Sequence, residues 1–263
     1  MTGLRLFYWD NLKSGSKVVK MKIVNDHTVL FKPKGDIARI LYGYQHLVRY
    51  QKSFEYETLK IFTDFIKPGD VVLDIGANIG LYTLVASKKA GDDGCVIAFE
   101  PTPQTFQLLL ENISLNKFHN IITVKEALAD VIKPVIMQRP IGVSSGYEDA
   151  FHQIVESSVD EAGAILTNTL DQYTADHQLK RIDIIKIDIE GAELLFFKGA
   201  QNTLMELKPI LIFESNEHHC KVFGNNVVDV LCFVKGLGYS ITQLNQEQWV
   251  AVSEKEKHKY QVV

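Results

Sequence analysis

The chain carries no excess of positive charge: 28 lysines and arginines stand against 32 aspartates and glutamates, a formal net charge of -4 at pH 7. Holding a duplex nucleic acid by its phosphates takes a broad positive field, so neither DNA nor RNA is expected as a partner. Long apolar runs are also missing. The opening MTGLRLFYWD lacks the uninterrupted apolar core of a secretory signal, and no later stretch approaches the roughly 20 apolar residues of a membrane-crossing helix. A cytoplasmic protein with no membrane span is expected. Cysteine is scarce, and Cys95, Cys220 and Cys232 are odd in number, irregularly spaced and free of any CxxC pair, which excludes a disulfide-stapled secreted scaffold. Cys95 and Cys232 lie among apolar neighbours and are expected to be buried; the surroundings of Cys220 give no such indication. There is no internal repeat and no low-complexity stretch.

What the chain does have is core. Of its 263 residues, 46% are hydrophobic and 23% charged, enough for one well-buried domain. From about Asp70 onward, short apolar runs alternate with segments of helical period, the pattern of a parallel sheet with crossover helices. VVLDI (71–75) is the first strand. A glycine-punctuated turn leads into a helix through Leu81, Leu84 and Val85, and CVIAFE (95–100) follows the GDDG turn. Thr102 can cap a helix whose first position is Pro103, where the missing N–H costs nothing. IITVKEAL (121–128) reads as the third strand. Residues 129–163 break the rhythm: PVIMQRP suggests an extra strand, and GVSSGYEDA a polar surface loop. A helix near 170–179, the strand IDIIKIDI (182–189), a helix ending near Gly199, the strand PILIFE (209–214), a helix through Val227, Val230, Leu231 and Val234, and a final antiparallel pair from YSITQL and WVAV complete a doubly wound α/β chain. Residues 1–52 differ in character and are expected to form a small N-terminal extension to a domain spanning 53–263; SEKEKHKY reads as a solvated tail.

In an open parallel sheet, ligands bind beyond the carboxyl ends of the strands near the point where strand order reverses. DIGANIG (74–80) has that position. Gly76 and Gly80 are expected to let a ligand touch the backbone, and the helix that follows turns its N–H groups and positive dipole end toward it. A dinucleotide fingerprint would read GxGxxG, whereas Asn78 stands at the second glycine position and Asp74 precedes Gly76 by two. A carboxylate there repels a pyrophosphate but suits the ammonium and sulfonium charges of S-adenosylmethionine. Glu100, closing the second strand, can accept both hydroxyls of an adenosine ribose. Glu126, Ala127 and Leu128, past the third strand, are placed to line the adenine plane. Each of these residues also has a plain reading as a strand-end cap or turn residue.

DIGANIG, FEPTPQTF, TLD (169–171) and IDIIKIDIEGAELLFFKGA followed by PILIFE together resemble the FkbM-type methyltransferase family, in order, from about Ser53 to Glu214. The resemblance implies a mostly parallel seven-stranded class I methyltransferase sheet, Rossmann-like, with S-adenosylmethionine as cofactor. It also implies methylation of a hydroxyl on a small molecule or glycan, often a sugar or secondary metabolite. It places Asp74, Gly76, Asn78, Gly80 and Glu100 on the cofactor, with Ala77 and Pro101 beside them.

Asp188 and Glu190 fall at the carboxyl end of a strand expected to neighbour the first, and Glu214 ends the next. A hydroxyl attacks poorly until a base takes its proton, and a carboxylate or histidine in reach commonly contributes about 10²–10⁴-fold. Asp188 is the first candidate for that base or for positioning the acceptor; Glu190 could pair with Lys186 or an amide and only shape the turn. His218 and His219 follow close to the same rim, and either could serve as base or simply be solvated. The three carboxylates could instead hold a hard divalent cation such as magnesium, although no residue is assigned as a metal ligand. Lys186, inside an apolar strand, needs a carboxylate partner. Tyr42, Tyr44, His46, Arg49 and Tyr50 mix aromatic faces with positive charge suited to a sugar ring or an anion, or to ordinary packing. A homo-oligomer is compatible with the sequence. Two other functions remain open: a nicotinamide-dependent oxidoreductase, for which the chain has neither GxGxxG nor a YxxxK dyad on a helix after a core strand, and a noncatalytic module that binds S-adenosylmethionine.

Overall fold

The computed structural model describes residues 19–22, 28–31, 54–138, 153–158 and 162–254. The aromatic and basic group Tyr42 to Tyr50, the GVSSGYEDA loop and all but the start of the C-terminal tail lie outside these residues. Two short strands, β1 (Val19–Lys22) and β2 (Thr28–Phe31), pair antiparallel with each other. Helix α1 (Phe54–Phe65) then leads to the central sheet.

That sheet contains β3 (Val71–Ile75), β4 (Cys95–Phe99), β5 (Ile121–Val124), β10 (Ile184–Ile187), β11 (Ile210–Glu214), β12 (Tyr239–Gln243) and β13 (Gln248–Ser253), in the order β12-β13-β11-β10-β3-β4-β5. The five strands from β11 to β5 run parallel, and β13 pairs antiparallel with both β11 and β12. Strand order reverses at β3: the chain moves outward to β4 and β5, then returns to β10 on the other side. The carboxyl ends of β3 and β10 therefore border the crevice in which such sheets bind ligands.

The parallel strands read as continuous apolar runs because both faces are covered. Val72, Ile184 and Ile212 pack on one face with residues of α1 and of α2 (Leu81–Ala90). Leu73, Ile75, Ile185, Ile187, Leu211 and Phe213 pack on the other. That second face is covered by α4 (Leu170–Asp176), α5 (Glu193–Lys198), α6 (Gln201–Leu207) and α8 (Val227–Gly236). Helix α3 (Pro103–Asn116) begins at its proline and lays Leu109 on Ala98. Thr102 occupies its N-cap position, but makes no side-chain capping bond. Among the described residues no helix is long and apolar enough to cross a membrane.

Beyond the uncapped Thr102, the chain departs from the sequence reading at five places, one of them a short helix, α7 (Glu217–Val222), where the reading has no element. IITVKEAL splits into β5 and β6 (Ala127–Leu128); β6 leaves the central sheet for a second one, ordered β6-β9-β7-β8, with β7 (Pro134–Gln138), β8 (Gln153–Glu156) and β9 (Ile165–Asn168). Helix α4 stops at Asp176, and Gln178 is already left-handed at φ 51°. After Gly199 a further helix, α6, appears; a Cβ on Gly199 would lie 1.9 Å from the Ala129 carbonyl oxygen, so the break between α5 and α6 is set by contact with the β6 exit. The cysteines are the fifth difference. Cys232 is exposed and Cys220 is buried, the reverse of expectation for Cys232, while Cys95 is half-buried. Helix α8 buries Val230 and Val234, four residues apart on one stripe, and Cys232 lies between them on the far side.

Candidate active site

Beyond Ile75 the chain turns through Gly76, Asn78 and Gly80, all left-handed at φ 80°, 52° and 97°, conformations that glycine adopts freely and asparagine at small cost. The space at these glycines is taken by protein. A Cβ on Gly76 would fall 1.9 Å from the carbonyl oxygen of Asp188, and one on Gly80 2.7 Å from Cδ1 of Leu109. Their missing side chains let the exit of β3 pack against the exit of β10 and against α3. The loop is tied further by the N–H groups of Gly76 and Ala77 donating to Phe99 O (3.0 and 2.9 Å) and by Asn112 Nδ2 donating to Ile79 O (2.8 Å).

Asp74 is 2% exposed and accepts a hydrogen bond from Thr83 Oγ1 at 2.5 Å. It therefore sits beneath the loop on the α2 side, rather than across its mouth. Burial pushes its carboxyl up to about 6, opposed by the Thr83 bond and the Lys186 charge. Glu100, 6% exposed, accepts the N–H of Asn78 on Oε2 (3.0 Å) and that of Thr102 on Oε1 (2.8 Å). Burial raises it to about 7 against those bonds. The Thr102 side chain bonds the same carboxylate; with two acceptor directions on each oxygen, the group keeps capacity for a ribose hydroxyl. Pro101 lies between these two anchored residues. Past β5, Glu126 accepts from Asn168 Nδ2 at 3.0 Å, and Ala127 and Leu128 are buried in β6.

The second loop leaves β10. Asp188 N donates to Ile75 O (3.0 Å), locking it to the β3 exit, and Asp188 Oδ2 accepts from Lys186 Nζ at 3.1 Å. Lys186 thus has in Asp188 the carboxylate partner its strand position demands, while its charge also acts on Glu190. Glu190 and Gly191 are both left-handed, at φ 57° and 102°. A glutamate in that region stores roughly 1–3 kcal/mol of strain, and a Cβ on Gly191 would meet the His219 carbonyl oxygen at 2.4 Å. Glu190 Oε2 lies 3.1 Å from His219 Nδ1. Burial, then the charges of Asp188, Glu214 and Glu193, hold the Glu190 carboxyl well above the usual range, while burial lowers His219.

His219 lies on helix α7 (Glu217–Val222), half-buried; His218, one residue earlier, is exposed, its ring centroid 5.7 Å from that of His219. Of the two histidines only His219 meets the carboxylates. Glu214 accepts from Gln248 Nε2 at 2.7 Å. Among the described residues no group of three histidine, cysteine, aspartate or glutamate side chains is arranged to hold a metal ion, so the magnesium alternative finds no ligand set there.

Two residues of the site have no assignment in the sequence reading. Thr83 carries no pattern that separates it from any helix threonine. Glu193 sits in IEGAE, where an acid in the first turn of a helix is the available signal. Buried, Glu193 accepts from Ile189 N (3.3 Å) and Gly191 N (3.2 Å) on Oε1 and is pushed by burial up to about 7. Its folded value lies above the unfolded one, so the stability it gives is complete below about pH 4.5 and is lost as pH rises through about 7. Glu193→Gln is therefore expected to be near neutral at pH 4.5 and to stabilise at pH 8 by on the order of 1–3 kcal/mol, measured by urea unfolding at both pH values. Equal effects at both would show that the carboxyl is not strained by burial.

A doubly wound sheet of this order, with glycine loop and buried acid at the ends of its first two core strands, defines a class I methyltransferase. Residues 74–241 match the methyltransferase FkbM domain, and the chain belongs to that family of S-adenosylmethionine-dependent methyltransferases. It is 27% identical over 194 residues to the hexuronic acid methyltransferase AglP of Haloferax volcanii, covering 74% of each chain. It is likewise 27% identical over 207 residues to methyltransferase sdnD of Sordaria araneosa, covering 66% of this chain and 79% of the relative. The crystal structure of methyltransferase FkbM from Methylobacillus flagellatus superposes with a TM-score of 0.45 at 17% identity, covering 82% of this chain and 60% of that one.

Proposed function

We propose that the chain transfers a methyl group from S-adenosylmethionine to a hydroxyl of a sugar, glycoconjugate or secondary metabolite. In this reading residues 53–263 form the methyltransferase domain and 1–52 an extension to it. The observation that carries it is Asp188: a carboxylate with 28% of its side chain exposed, at the strand end beside the cofactor loop, with one oxygen tied to Lys186. The relative from Haloferax volcanii, whose named substrate is a hexuronic acid, supports a hydroxylated acceptor.

The residues divide the work. Glu100, its carboxylate already held by two backbone N–H groups, accepts the ribose hydroxyls. The cofactor, when bound, supplies a methyl group on a cationic sulfur. Asp188 would accept the hydrogen bond of the acceptor hydroxyl, orient its oxygen, and take its proton as the methyl–sulfur bond gives way to the new C–O bond and the sulfur leaves as a neutral thioether. Glu190 and His219 line the same side and stand ready to pass that proton to solvent.

The test is methyl-labelled cofactor incubated with a panel of monosaccharides, uronic acids and hydroxylated aromatics, followed by product mapping. Label on an oxygen of at least one acceptor is expected. Label confined to nitrogen acceptors would reject the oxygen reading and leave the family assignment intact.

A further inference from the structure

Lys186 lies near the end of β10, on the sheet face that α1 and α2 cover, and it is 1% exposed. Taking an ammonium out of water is costly, and an uncharged side chain of similar volume avoids that cost; packing alone does not explain a lysine here. Its surroundings do. Nζ lies 3.1 Å from Asp188 Oδ2, 3.5 Å from Ile187 O and 4.8 Å above the centroid of the Tyr82 ring, which Phe62 of α1 packs edge-on. In the β10–β3 register Lys186 is the direct partner of Asp74. The charge of one ammonium therefore acts on two carboxylates from the two strands whose ends border the crevice, bonded to Asp188 and facing Asp74 across the register. The neighbouring strands bring no charge, since Ala98 is the partner of Asp74 on β4 and Ile212 that of Lys186 on β11. Among the described residues, Thr83 and Tyr82 from α2 and Glu190 from the β10 exit also face this point.

We propose that Lys186 is a positioning residue shared by the cofactor site and the transfer site: its ammonium fixes the Asp188 carboxylate at the crevice and balances the charge of Asp74 on the neighbouring strand. Without it, the buried Asp74 would face the Asp188 charge with no cation beside it and take up a proton more readily, and the β3 exit, joined to the β10 exit through Gly76 and Asp188, would lose its charged anchor. The inference rests on the cofactor reading above, because binding of the methionine nucleoside is what this geometry serves.

The experiment titrates S-adenosylhomocysteine calorimetrically into the wild type, Lys186→Met and Lys186→Arg between pH 6 and pH 9. For Lys186→Met, affinity at pH 7 is expected to fall about 10- to 100-fold and the pH midpoint of binding to move up by about one unit or more. Lys186→Arg, which keeps the charge, is expected to stay within about tenfold of wild type with the midpoint unchanged. A packing role makes the opposite demand: wild-type affinity and midpoint in Lys186→Met, with the bulkier arginine binding worse, and that result overturns the proposal. If Lys186→Met does not fold, Lys186→Arg decides, with retention as stated supporting the proposal and a greater loss or a moved midpoint overturning it. Absence of binding by the wild type at every pH would instead overturn the cofactor reading beneath it.

Discussion

Asp188→Asn is expected to lower methyl transfer by about 10²–10⁴-fold while affinity for S-adenosylhomocysteine stays within about threefold of wild type. Asparagine preserves the shape of the side chain and can still lie beside Lys186, so the β10 exit keeps its fold. What it loses is the ability to take a proton. The carboxylate is suited to the task because Lys186 holds one oxygen at 3.1 Å, which leaves the other to turn toward the crevice. The backbone bond from Asp188 N to Ile75 O fixes the distance between this group and the cofactor loop. Positioning at that level contributes to rate independently of proton transfer. Kinetics with saturating cofactor, beside calorimetry on the same preparation, separate the two effects. Full turnover in the variant would remove Asp188 from the chemical step and pass the base to the Glu190–His219 pair.

A second large effect is expected from a single added carbon. Gly76→Ala places a Cβ 1.9 Å from the Asp188 carbonyl oxygen at a residue with φ 80°. The contact is with backbone, which cannot step aside without moving both exits. The sum of left-handed strain and overpacking is expected to destabilise by roughly 3–5 kcal/mol and to abolish binding of S-adenosylhomocysteine. Gly224→Ala is the control: its φ is also positive, at 69°, but nothing lies within 4 Å of the added carbon, so about 1–2 kcal/mol is expected from the backbone conformation alone. Similar losses in the two variants, read from denaturant unfolding, would show that the Gly76–Asp188 contact carries no special weight.

The legible part of this protein is its layering. Strands buried on both faces leave nearly continuous apolar runs, and VVLDI, CVIAF and ILIF keep them, broken only by Asp74; Pro103 marks a helix start, and the last two strands pair around a turn. Positions at strand ends were legible for the same reason, which is why Asp74, Glu100, Asp188 and Glu214 could be placed near one rim from spacing alone. Side-chain direction was not. Asp74 turns under the loop because its place in the pleat faces α2, and nothing local in DIGANIG distinguishes that from facing a ligand. Gly76 and Gly80 show the same gap: a glycine announces that a Cβ is forbidden, but the neighbour that forbids it, Asp188 or Leu109, lies 112 and 29 positions away in the chain. Adjacent histidines on a helix point about 100° apart, so choosing His219 over His218 required the fold. Glu193 and Thr83 act through contacts with a loop and a strand that only the tertiary structure brings to them.

The measurement that bears most directly on the site is calorimetric titration of S-adenosylhomocysteine and, separately, NADH into the wild type and Glu100→Ala. One-to-one binding of the nucleoside, weakened at least tenfold by the substitution, with no heat from the dinucleotide, is the expected result. Binding of NADH without binding of S-adenosylhomocysteine would contradict it.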